Sequence, residues 1–97
     1  MTEEYYVVRI EFFKSSDENN RVEYLKTIYP WTVLTDSGRV EHLYITSYQD
    51  ILKARKYKTL ANTIKVVNRL SDWYKSKEID AEVKALKVEI EIKTIEI

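Results

Sequence analysis

The hydrophobic period of this chain changes twice, and that pattern restricts its fold more than any single motif. Apolar residues alternate with polar ones through about residue 46, recur at helical spacing from Thr59 to about Ser76, and return to alternation from Leu86. Period two marks half-buried strands and period 3.6 marks an amphipathic helix. In residues 5–14, Tyr6, Val8, Ile10 and Phe12 form one face against Tyr5, Val7, Arg9, Glu11 and Phe13, which predicts a long strand rich in β-formers. The polar cluster of residues 15–20 has turn chemistry and predicts a hairpin to a second strand over residues 21–28. Tyr29-Pro30-Trp31 is then expected to interrupt it. A third strand over 32–35 meets a fourth over 39–46 through Asp36-Ser37-Gly38, where the chain's single glycine stands at a position that needs positive φ.

In the helical stretch, Leu60, Ile64, Val67, Leu70, Ser71 and Tyr74 share one sector, with Thr59 as the N-cap. Asn62, Lys65, Arg69, Asp72 and Ser76 make the opposite, solvated stripe. Residues 51–57 read as a short extended piece before it. The last strand alternates Leu86, Val88, Ile90 and Ile92 with Lys87, Glu89, Glu91 and Lys93, after which Ile95 and Ile97 fall out of phase. That slip implies a bulge or a tail that seeks another apolar surface. These elements predict one α+β domain over residues 1–97, a mainly antiparallel sheet of four to five strands with one helix on one face, in the order ββββαβ.

One glycine and one proline in 97 residues argue against linkers and low complexity. No apolar run approaches the roughly 20 residues of a bilayer span, and Met1-Thr2-Glu3-Glu4 does not open a secretory signal, so no membrane association and a cytoplasmic location are expected. The absence of cysteine suits a reducing compartment.

A net charge of zero hides a segregation. Residues 53–77 hold eight cations (Lys53, Arg55, Lys56, Lys58, Lys65, Arg69, Lys75, Lys77) against Asp72, while both flanking regions are acidic. Such asymmetry speaks of partners rather than of fold. Lys75 and Lys77 complement the negative end of the helix dipole. Lys56 and Lys58 stand before the cap, beside free backbone N–H groups that favour anions. Val66, Arg69 and Trp73 follow at helical spacing and match the composition of interface hot spots; the competing reading is that a loop such as Tyr29-Pro30-Trp31 covers Val66 and Trp73.

Catalytic chemistry finds little support. The only histidine, His42, has no cysteine or clustered carboxylates around it, no nucleophile elbow exists, and one glycine cannot build a phosphate loop. Glu89-x-Glu91-x-Lys93 could carry a metal-dependent hydrolytic site, but alternating Glu and Lys on a half-exposed strand is the ordinary way of keeping it soluble. No catalytic residue, metal or cofactor is expected.

The short acidic start, Tyr5-Tyr6-Val7-Val8-Arg9-Ile10, and Ala54-Arg55-Lys56-Tyr57-Lys58-Thr59-Leu60-Ala61 leading into the helix together resemble the small cytosolic accessory proteins of phages and prophages of Gram-positive bacteria. That class includes inhibitors of host defence such as anti-CRISPR proteins. The resemblance implies a stoichiometric partner, and host cytoplasm as the location; it carries no functional residue across. The expectation is therefore a non-enzymatic protein-binding module, plausibly an inhibitor, that meets a host or phage protein with an acidic surface through Lys56, Lys58, Lys65, Val66, Arg69 and Trp73. The alternative is nucleic-acid binding through residues 53–77. Self-association through the C-terminal strand is a further expectation.

Overall fold

The computed structural model describes residues 2–14 and 20–97. The elements follow as β1 (Thr2–Phe12), β2 (Arg21–Thr35), β3 (Gly38–Tyr48), a 3-10 turn (Ile51–Lys53), α1 (Leu60–Ser76) and β4 (Ala81–Glu91). All strand pairs are antiparallel, in the spatial order β3-β2-β1-β4. The class is α+β as expected. The order is corrected to βββαβ with four strands, because residues 21–35 form one continuous strand. The turn expected at residues 15–20 lies outside the described residues except for Asn20.

Pro30 does not break β2, and the pairing explains why. β1 accompanies β2 only from Arg21 to Tyr24, opposite Phe12 to Arg9. Beyond that β2 pairs with β3 alone, with Pro30 opposite Leu43. A proline whose nitrogen faces an open strand edge removes no ladder bond. The register slips between Leu25 and Thr27, so Lys26 is an extra residue where β2 leaves β1. The connecting segment takes the vacated place: Tyr6 and Tyr57 exchange two backbone bonds of 2.8 Å, and Arg55 N donates to Leu25 O at 2.9 Å.

The β2–β3 hairpin therefore projects as an arm. The radius of gyration is 16.8 Å and the long axis 67 Å, against roughly 12–13 Å for a compact chain of this length. At the arm's tip the positive φ falls on Gly38 (118°), directly after the two-residue turn Asp36-Ser37.

The core has two sides. Under α1 lie Val8, Ile10, Leu25, Leu70 and Tyr74, with Phe12, Ile28, Ile45, Val66, Val67, Trp73, Ala81 and Val83 packed around them. Tyr74 meets Phe12 edge to face at 5.5 Å. The other side holds Tyr5, Val7 and Ala54, bordered by Tyr24, Ile51, Leu86, Val88 and Ile90. β4 thus turns its large apolar stripe away from the helix and offers Ala81, Val83 and Ala85 beneath it, in register with Phe12, Ile10 and Val8.

Thr59 caps α1 as expected, accepting from Asn62 N at 3.2 Å. The expected buried face is corrected in its first half: Leu60 and Ile64 are 48% and 42% exposed, whereas Thr63 and Leu70 are fully buried. The helix is rotated toward the ridge of Val66 and Trp73, which meets the side of the core that Ile28 and Ile45 of the arm complete. Thr63 tolerates burial because its hydroxyl donates to Thr59 O at 2.7 Å.

Candidate interaction surface

The arm exposes a face without charge. On the side turned away from α1, β2 presents Thr27, Tyr29, Trp31, Val33 and Thr35, opposite Thr46, Tyr44, His42, Val40 and Gly38 of β3. Tyr29 stacks on Tyr44 at 4.9 Å and Trp31 lies over His42 at 5.1 Å. Cross-strand aromatic pairs stabilise an isolated ribbon, yet Tyr29, Trp31 and Tyr44 remain 46–50% exposed. His42 is half-buried here, its ring tilted against that of Trp31.

The other side of the arm folds toward the helix. Glu41, Leu43, Arg69, Asp72, Trp73 and Ser76 line an open cleft of about 270 Å³. Arg69 approaches Glu41 at 3.6 Å across it, and Lys77 Nζ lies 4.6 Å over the Trp73 ring. Its size and openness fall short of the enclosed apolar pockets that hold small molecules.

The six residues singled out from sequence do not form one patch. Arg69 and Trp73 share the cleft, and Lys65 stands one turn before Arg69 on the exposed helix face. Val66 and Trp73 are half-buried against the core, so the covering segment is the arm itself. Lys56 lies at the far end of the domain, 3.8 Å from Glu3 and 4.7 Å over the Tyr5 ring. Lys58 is exposed before the cap and forms no ion pair among the described residues.

Dispersal weakens the basic segment as a single site. Lys53, Arg55 and Lys77 sit over Tyr48, Tyr57 and Trp73, and Lys56 and Arg69 face carboxylates. Glu89 is engaged by Lys87 at 3.3 Å and Glu91 by Lys93 at 3.9 Å, the ordinary pairing of a charged strand face. Among the described residues no group of three or more His, Asp or Glu could hold a metal ion, and no helix is long and apolar enough to cross a membrane.

The aromatic face escaped the sequence reading because Pro30 divided β2 in two. Read as one strand, residues 27–35 alternate Thr, Tyr, Trp, Val, Thr on one side, a signal present in the sequence. Comparison with protein-family models, with curated proteins and with solved structures finds no match.

Proposed function

We propose that this chain is a non-enzymatic protein-binding module that inserts its β2–β3 arm into an apolar groove of a partner protein. The observation that carries this reading is the uncharged aromatic face built by Tyr29, Trp31, His42 and Tyr44. Tyr and Trp supply large contact area at small entropic cost and are enriched where interfaces concentrate their energy. Lys65 and Arg69, beside the arm, suit carboxylates on the groove's rim and would act chiefly on association rate. Stoichiometric inhibition of a host defence protein is the form of binding implied by the resemblance to phage accessory proteins.

Nucleic-acid binding is the weaker reading. Base stacking needs aromatic side chains beside a positive groove that tracks phosphates. The aromatic face carries no cation between Thr27 and Thr46, and five of the eight cations of residues 53–77 sit over a ring or beside a carboxylate.

The test is a nuclease-treated pull-down from native lysate with the wild-type chain and a Trp31→Ala/Tyr44→Ala double variant of unchanged circular dichroism. The expected result is a stoichiometric protein held by the wild type and lost by the variant. Equal capture by both baits, or capture abolished by nuclease, would overturn the proposal.

A further inference from the structure

β4 is the outermost strand on its side of the sheet, and its outer edge has no strand beside it among the described residues. We propose that a second copy of this chain pairs with that edge, antiparallel about a two-fold axis at Val88, to join two sheets into one of eight strands. Three independent features converge on that register.

The first is charge. With Val88 opposite Val88, Lys87 of each copy faces Glu89 of the other, and on the opposite sheet face Leu86 faces Ile90. Opposite charges directly across an antiparallel pair attract, and like charges repel. Sliding the strands by two residues either way brings Lys87 against Lys87 or Glu89 against Glu89. Edge strands ordinarily carry charge to discourage pairing; here the pattern discourages the neighbouring registers and favours one.

The second is the exposed flank of α1. Arg69 and Trp73 mark the flank toward the arm. Leu60 and Ile64 lie across the buried line of Thr63, Leu70 and Tyr74 from it, and so look toward the open edge of β4. From Tyr74, which touches Phe12, the helix descends about 21 Å to Leu60. That is about six strand residues, which brings Leu60 near the level of Tyr5 and Tyr6, opposite Val88 and Lys87. The Tyr6–Tyr57 bridge fixes the same level. A helix seated over β1 and β4 would lie about 10 Å from its symmetry mate, given strand spacing near 4.8 Å and usual helix separations of about 8–10 Å. The N-terminal turns would then cover each other through Leu60 and Ile64.

The third is the change of phase after β4. β4 ends at Glu91, opposite Thr2, and Ile95 beyond it is 82% exposed. About the Val88 axis, continued pairing sets Ile95 opposite Ala81 of the second copy. With the alternation of β4 carried on in that pairing, Ile95 would share the helix-side face of Ala81, Val83 and Ala85, and there the helix of the second copy would shelter it. The slip that breaks the alternation in one chain completes a face in two.

The proposal rests on β4 and not on the arm, so loss of the aromatic face leaves it untouched. Sedimentation of the full chain should show a monomer–dimer equilibrium. Lys87→Glu and Glu89→Lys should each weaken it by at least about 10-fold, and the double exchange should return it to within about 3-fold of wild type. Because the chain has no cysteine, Val88→Cys would carry its only thiol, and the axis holds the two copies within disulfide reach. Mild oxidation should cross-link Val88→Cys and not Ala85→Cys. A monomer up to about 100 μM, roughly the concentration at which a 5–6 kcal/mol association would already be evident, would overturn the proposal. So would failure of the charge exchange to rescue, or a Val88→Cys chain that stays uncross-linked.

Discussion

The arm and β4 are both strands with an open edge, and they manage that exposure in opposite ways. β4 sets Lys87, Glu89 and Glu91 along one face, where Lys87 pairs with Glu89 and Glu4, and Glu91 with Lys93. The arm carries aromatic and β-branched residues and leaves its outer face uncharged. Alternating charge restricts a strand to few registers, whereas an uncharged aromatic face accepts whatever covers it. In the readings proposed above, the first device serves a copy of the same chain and the second a different protein. Stability should then reside in the body of the domain, with the proposed binding confined to the arm.

The largest expected effect separates those two. Leu70 is fully buried between α1 and the sheet, and Leu70→Ala should cost about 2–5 kcal/mol in urea denaturation, a large share of a margin of about 5–15 kcal/mol. Trp31→Ala, half-exposed on the arm, should cost less than about 1 kcal/mol. Ile64→Asp should likewise leave the melting of the monomer nearly unchanged, because its side chain is not in the core. A Trp31 variant as unstable as Leu70→Ala would show that the arm is part of the folding unit.

That contrast also measures what the sequence could tell. The cap at Thr59, the glycine turn and the long alternating β4 were legible because each is set by local chemistry. The rotation of α1 was not: Leu60 and Ile64 have the same spacing as true core residues, and only the arm folding against Val66 and Trp73 selects the other ridge. Pro30 misled for a related reason. Its cost depends on whether a strand lies beyond it, which is a property of the sheet and not of the tripeptide. Of the residues singled out from sequence, Arg69 and Trp73 meet in one cleft, while the aromatic face needed residues far apart in the chain to be set opposite each other.

Alkaline titration should sharpen the division. Burial, helped by Glu23 and opposed by Arg21, pushes the Tyr74 hydroxyl up to about 12. Burial pushes Tyr57 up as well, against Arg55, and its hydroxyl has no hydrogen-bond partner among the described residues. A tyrosine raised in the folded state contributes fully below its unfolded value near 10 and loses that contribution as pH climbs to the folded one. Between about pH 10 and 12 the fold should lose about 2–3 kcal/mol through Tyr74. Denaturation of Tyr74→Phe across the same range should show a shallower fall; an equal slope would assign the loss to other groups.

Gly38 tests the arm alone. At φ 118° a side chain is strained, although a Cβ would meet nothing within 4 Å, so the residue is required by conformation and not by space. Gly38→Ala should cost about 1–2 kcal/mol, but locally, because the arm tip can open without the body. Amide exchange should accelerate by roughly 5- to 30-fold at Val33 and Val40 and hold steady at Val8 and Ile10. Equal acceleration in both regions would mean that arm and body open together.

The smallest effect lies at the other chain reversal, the entry to β4. Ile79 N donates to Tyr74 O at 2.9 Å and Glu78 N to Lys75 O at 3.2 Å, the two bonds of a Schellman closure, which places Glu78 at the left-handed position with φ 57°. Where the arm uses a glycine, this turn uses a glutamate and bears the strain. Glu78→Gly should therefore stabilise the domain, by about 1 kcal/mol of relieved backbone conflict less a few tenths for the added freedom of the unfolded chain. Because the turn joins α1 to β4, the gain should appear in global denaturation and in exchange at Val8 and Ile10, leaving the arm amides unmoved. A destabilised Glu78→Gly chain would mean that the glutamate side chain contributes more than its backbone costs, and the two reversals would then differ by chemistry and not by strain.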